Sequence, residues 1–150
     1  MRAEQVVMFS KTCEYAIRAM IFIAFASKNG DKVSIPEIAA GIDSPLHFIA
    51  KILQDLVKKG LVQSLKGPTG GFFLNNETLN CTLADIVVAI DGDKIFSGCA
   101  LGLKECSEIQ PCPMHHEFKA IRKAIYQTLK AARLGDLQEQ LDIQTLYLKR

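Results

Sequence analysis

The chain lacks any apolar run long enough to cross a bilayer. The longest, around Ala19 to Ala26, falls far short of the roughly 20 residues that a spanning helix needs. It lacks a basic-then-apolar opening too, because Glu4, Lys11, Glu14 and Arg18 interrupt the first residues, so a cytoplasmic protein with no membrane attachment is expected. Proline is scarce, with five in 150 residues, and charged residues make up 23%, a balance that argues against disorder. No charge of one sign dominates. The formal net charge of +2 does not by itself announce a nucleic-acid partner. There is no glycine-rich nucleotide loop and no Ser/His/Asp set, so an enzyme is not expected. The cysteines number five, and an odd count fits a reducing compartment with metal-bound thiolates better than a disulfide framework.

Apolar residues are plentiful, at 49%, enough for one compact core. Charge is spread unevenly. Residues 1–75 carry nine Lys and Arg against six Asp and Glu, and residues 76–150 carry nine against ten, a weak hint of two jobs.

The second half holds the most informative cluster. Cys99, Cys106 and Cys112 sit in a stretch broken by Gly98, Gly102, Pro111 and Pro113, with His115 and His116 just after. Soft thiolates on a loop that can form neither helix nor strand point to a metal. Three cysteines are one ligand short of the four that an iron–sulfur cluster or a structural zinc takes. Cys99-x6-Cys106-x5-Cys112-x3-His116 fits a Cys3His zinc site, and a metal-free thiol redox switch is a further alternative. Cys13 and Cys81 have apolar neighbours and read as buried structural thiols.

The first half predicts a reading head. Ser10 can cap a helix to about Ser27 whose apolar stripe runs Cys13, Ala16, Ile17, Met20, Ile23 and Ala24. Ser34-Ile35-Pro36-Glu37 is a capping box opening a short helix that Gly41 closes. Ser44, with Pro45 next, then caps a third helix that Gly60 ends. Two helices across so short a turn are a helix-turn-helix signature. Residues 61–66 and 72–74 alternate around Gly67-Pro68-Thr69-Gly70-Gly71 as a hairpin, which in this position reads as a wing. Thr82 caps a further helix ending at Gly92.

On the third helix His47, Lys51, Gln54 and Lys58 oppose the face expected to be buried, Leu46, Ile49, Ile52, Leu53 and Leu56. They can donate to phosphates or base edges of double-stranded DNA, and Gln54 suits adenine. Lys66 and the backbone of Gly70 and Gly71 would bring the wing tip close to the duplex. From Pro113 a long helix is expected to about Leu134, stopped by Gly135. Met114, Phe118, Ile121, Ile125, Leu129 and Ala132 recur along it at the spacing of a seam, which favours a homodimer over packing on its own domain.

Ser10-Lys11 with Tyr15-Ala16, Ile35-Pro36-Glu37-Ile38-Ala39, Phe48-Ile49-x-Lys51-Ile52-Leu53, Gly60-Leu61-Val62, Gly67-Pro68-Thr69-Gly70-Gly71-Phe72 and the three cysteines together resemble the Rrf-type, IscR- and NsrR-like family of bacterial winged-helix transcription regulators. The likeness covers roughly residues 8 to 133. It implies a mainly α fold with a small β-hairpin: a winged helix-turn-helix domain over 8–92, a cluster-binding loop over 93–112, a dimerisation helix over 113–134 and a tail over 135–150. It also implies an iron–sulfur cluster, [2Fe-2S] or [4Fe-4S], whose state controls binding to an operator. The IscR-like pattern makes His115 the fourth ligand after Cys99, Cys106 and Cys112. The NsrR-like pattern takes a carboxylate from the first helix, which is Glu14 here, and His116 ranks third.

Overall fold

Helix α1, Lys11–Ala26, begins where Ser10 turns its hydroxyl onto the Cys13 N–H at 3.1 Å. The backbone N–H of Ser10 donates to Asp91 at 2.9 Å, which ties this start to the end of a distant helix. The computed structural model describes residues 8–140, 142 and 146–149. Among them α1 is the central strut. Cys13, Ala16, Ala19, Met20, Ile23 and Ala24 are wholly buried along it, the stripe its 3.6-residue period dictates.

Helix α2, Ile35–Ile42, opens with the expected capping box. The Glu37 N–H donates to the Ser34 hydroxyl at 3.3 Å, and the Ser34 N–H returns to Glu37 at 2.7 Å. The Ser34 N–H, and then the Ser34 hydroxyl donating to the same carboxylate at 2.8 Å, hold the Glu37 carboxyl below its ordinary range. Gly41 does not close α2; it lies inside the helix. A Cβ on it would fall 2.2 Å from the Phe22 ring, so glycine here lets α2 approach α1. The stop is Asp43, which takes the left-handed conformation at φ 53°.

Helix α3, Leu46–Lys58, follows after one short turn. Its cap is Pro45 rather than Ser44, whose buried hydroxyl finds no partner among the described residues. Ile49, Leu53 and Leu56 of α3 close over Ile38 and Ile42 of α2 and Met20 and Ile23 of α1. Each such buried side chain contributes about 1.5–3 kcal/mol against exposure. The helix-turn-helix angle is therefore fixed by core packing.

Strands β1, Gln63–Leu65, and β2, Gly71–Phe73, form an antiparallel hairpin with Ser64 opposite Phe72. Val33 adds a bridge on its other side, its N–H donating to the Phe72 carbonyl at 2.9 Å and its carbonyl accepting from the Phe72 N–H at 2.8 Å. The wing is thus anchored to the segment leading into α2. A 3-10 turn, Thr78–Asn80, leads to α4, Leu83–Asp91, which Thr82 and Asp85 open with a second capping box. A short α5, Lys94–Ser97, precedes the cysteine loop.

The long helix expected over 113–134 is two helices. α6 runs His115–Ala131 and α7 runs Leu134–Gln140, so Gly135 lies inside α7 instead of stopping a helix. The break is tertiary. The Leu134 N–H donates to the Cys81 carbonyl at 2.9 Å, the Leu83 N–H to the Ala132 carbonyl at 3.0 Å, and the Leu134 side chain is wholly buried. α7 then packs on α1. Beyond it, Arg18 donates to the Leu148 carbonyl at 3.2 Å and Lys149 to the Ala40 carbonyl at 3.0 Å, so part of the expected tail lies against the reading head. Positions 141, 143–145 and 150 of that tail lie outside the described residues.

Candidate DNA-reading face and cysteine centre

His47, Lys51, Gln54 and Lys58 are all exposed on α3. Lys51, Gln54 and Lys58 line a groove of about 380 Å³ shared with Thr12, Phe48 and Ile90. Lys59 is not part of it: it pairs with Asp55 at 2.9 Å and donates to the Ala89 carbonyl, bracing α3 against α4. Lys66 is exposed at the wing tip. The wing glycines have structural duties. The Gly70 N–H is used by the Gly67 carbonyl at 3.0 Å and is therefore not free for a phosphate. Gly71, at φ +147°, sits so close to Val33 that a Cβ would lie 2.8 Å from its carbonyl oxygen.

The second centre lies between α5 and α6. Cys99, Cys106 and Cys112 are half-buried free thiols. The Cys106 sulfur lies 3.4 Å from His115 Nδ1. The backbone N–H groups of Leu103 and Leu101 hold the Cys99 thiol below its ordinary value, with further help from Cys112 and the Arg122 charge. Cys13 and Cys81 are the opposite case. Burial, with Asp91 near the first and Asp85 near the second, pushes each up to about 12.

His115 is the buried polar residue of this centre, at 3% exposure. It opens α6, where the Cys112 carbonyl accepts its N–H at 3.0 Å. Its Nε2 lies 3.2 Å from a Glu108 carboxylate oxygen, outside the direction of a good hydrogen bond. Lys119 first and His115 second hold the Glu108 carboxyl below its ordinary range. His116 is exposed and meets His115 edge-on, ring centres 5.1 Å apart. Glu14 lies 3.8 Å from Lys11 and lines a groove with Arg18 and Tyr147, a different groove from the one that Cys99 and Cys106 line.

No three His, Cys, Asp or Glu side chains among the described residues converge as a finished metal cage. The donor set nonetheless fits an iron–sulfur cluster in kind. Three thiols stand on one loop with an imidazole at the start of the helix that follows it, and Cys99 and Cys106 line one open groove of about 940 Å³. Sequence reasoning missed Arg122, whose Nη2 donates to the Cys106 sulfur at 2.9 Å. The signal was present: Arg122 is seven residues after His115, two helical turns along the same face.

A helix-turn-helix followed by a hairpin wing, with donors exposed along its second helix, defines a winged-helix DNA-binding regulator. The family model of Rrf2, an iron-dependent transcriptional regulator, matches residues 9–140, and the chain belongs to this family. Its members are DNA-binding regulators rather than enzymes. The chain is 34% identical to an HTH-type transcriptional regulator of Aquifex aeolicus (strain VF5), over 87% of this chain and 91% of that protein. It is 28% identical to the HTH-type transcriptional regulator IscR of Photorhabdus laumondii, over 86% of this chain and 79% of the relative. Two solved structures share the fold. CymR, the global cysteine regulator of B. subtilis, superposes with a TM-score of 0.73 at 24% identity, covering 91% of this chain and all (100%) of the other. T. potens IscR superposes with a TM-score of 0.71 at 20% identity, covering 96% and 93%. No helix among the described residues is long and apolar enough to cross a membrane.

Proposed function

We propose that the chain is a homodimeric, sequence-specific regulator whose hold on operator DNA is set by an iron–sulfur cluster carried by Cys99, Cys106, Cys112 and His115. The observation that carries this reading is the pairing of Cys106, on the loop that also holds Cys99 and Cys112, with the buried His115 at the start of α6. His115 is preferred to Glu14 as fourth ligand because it already faces a cysteine, and to His116 because that ring is exposed. When bound, the cluster supplies iron that responds to Fe–S supply, redox state or nitric oxide.

The protein's own part is mechanical. Ligation by Cys99, Cys106, Cys112 and His115 would tie the cysteine loop after α5 to the first turn of α6. Met114, just before α6, and Ile121, two turns further on the same side, are 42% and 53% exposed, apolar positions suited to a second copy of the helix. Fixing the start of α6 would then fix how two reading heads are spaced. Half-sites on DNA lie about 34 Å apart per turn, so a small rotation of the pair changes the fit of His47, Lys51, Gln54, Lys58 and Lys66 to the operator. Loss of the cluster changes affinity because two states of the dimer bind DNA differently.

An anaerobic visible spectrum with iron and sulfide analysis tests the cofactor, and gel shifts with loaded and cluster-free protein test the switch. The reading expects a sulfur-to-iron chromophore and a change in affinity or site preference on its removal. Colourless protein carrying zinc alone would favour a structural zinc. Colourless, metal-free protein whose DNA binding follows oxidation would favour a thiol switch, for which a Cys99 thiol held below its ordinary value is suited.

A further inference from the structure

The groove beneath the cysteine loop contains a cation that the switch described above does not use. On α6, Phe118, Ile121, Arg122 and Ile125 follow one another at helical spacing and line this groove together with Cys99 and Cys106. Three of the four are apolar walls. The fourth carries a guanidinium, and its Nη2 donates to the Cys106 sulfur at 2.9 Å. The adjacent Nε–H is buried and finds no acceptor among the described residues. Buried donors are normally paired, so an orphan beside sulfur ligands is the mark of a site built for one more acceptor. Neither acid of the same loop supplies it: Glu108 is engaged by Lys119 and His115, and Glu105 is exposed and makes no hydrogen bond to this Nε.

We propose that Arg122 is a positioning residue for the cluster, donating one N–H to the Cys106 sulfur and presenting a second to a sulfur of the bound cluster. The inference rests on the cluster reading above and assigns that site a donor beyond its four ligands. A guanidinium suits the task, because its planar fork offers parallel N–H groups and its charge survives at every working pH. Hydrogen bonds to cluster sulfurs withdraw electron density from the iron. They stabilise the reduced form and raise the potential. Outer partners that orient metal ligands also strengthen retention, commonly by 10- to 100-fold. Between apolar walls the effect is larger than it would be in water.

The test uses the full chain purified without oxygen, as wild type, Arg122→Met and Arg122→Lys. Three readouts are taken: the rate of cluster loss to a chelator, the midpoint potential, and thermal unfolding of the cluster-free protein. Arg122→Met should lose its cluster roughly tenfold faster or more and titrate at a more negative potential, with cluster-free unfolding unchanged. Arg122→Lys, which keeps the charge, should recover most of the retention. A loaded Arg122→Met with wild-type potential and loss rate overturns the proposal. Should Arg122→Met fail to fold, Arg122→Gln is read by the same criteria. Wild type devoid of iron and sulfide would sink the cluster reading itself, and this inference with it. Loaded wild type with unaltered variants sinks this inference alone.

Discussion

Replacing Gly71 with alanine separates the wing's anchoring from its contact with DNA. The residue sits at φ +147°, and the added methyl would lie 2.8 Å from the Val33 carbonyl oxygen and 3.0 Å from its carbonyl carbon and nitrogen. All three are backbone atoms, so no side chain can swing aside. The conformation alone costs an L-residue on the order of 1–3 kcal/mol. Moving Val33 to clear the methyl sacrifices its bonds of 2.9 and 2.8 Å to Phe72, at roughly 1 kcal/mol each. Together these come to about 3–5 kcal/mol, against the roughly 5–15 kcal/mol that holds a whole domain. Spent globally, the loss would lower Tm by roughly 10 °C. Releasing the hairpin from Val33 is the less costly route, since α1, α2 and α3 keep their shared core. Hydrogen exchange resolves the two. The Phe72 and Val33 amides should lose protection while those of Ile23 and Leu53 keep theirs, and DNA affinity should fall. Gly67→Ala is the control. It has φ +107° but nothing within 4 Å of an added Cβ, so it meets only the conformational cost. A Gly71→Ala protein whose Phe72 amide stays protected would refute the close-approach argument.

Alanine at Cys99, Cys106 or Cys112 should abolish or destabilise the chromophore and leave far-UV circular dichroism unchanged, because all three lie outside the buried core. Lys51→Ala should weaken DNA binding and reduce its salt slope by about one, as loss of a single phosphate contact does, with the visible spectrum intact. Alkylation of metal-free protein, followed by mass spectrometry, should mark Cys99 well before Cys13 and Cys81. The sign is set by the thiolate fraction: lowering a thiol's pKa raises it and raising the pKa depletes it. With pKa values of about 12, Cys13 and Cys81 are thiolate to only about one part in ten thousand at pH 8. They should react only when the chain unfolds, and equal labelling of all five cysteines in folded protein would contradict the assignment.

Much of the reading head was legible because its signals are local. Ser10, the Ser34–Glu37 box and the Thr82–Asp85 box each act within three residues, and each caps the helix it announces. Gly41 and Gly135 misled for the same reason. A glycine inside a helix looks like a stop when the Phe22 ring or the Leu79 carbonyl it makes room for lies far away in sequence. The spacing of Cys99, Cys106, Cys112 and His115 nominated the second centre. Which cysteine faces the histidine, and that Arg122 joins them, depends on how the loop folds back onto α6.

The sequence by itself determined the order helix, turn, helix, wing and the one segment in which soft ligands gather, because capping and periodicity are written within a few residues of chain. Only the tertiary structure decided that α6 ends at Ala131, that Val33 fixes Gly71, and that the Arg122 guanidinium stands beside Cys106. Those features are settled by contacts between residues tens of positions apart or across a loop. Burial and backbone pairing outweigh local preference there, and no short window of sequence records them.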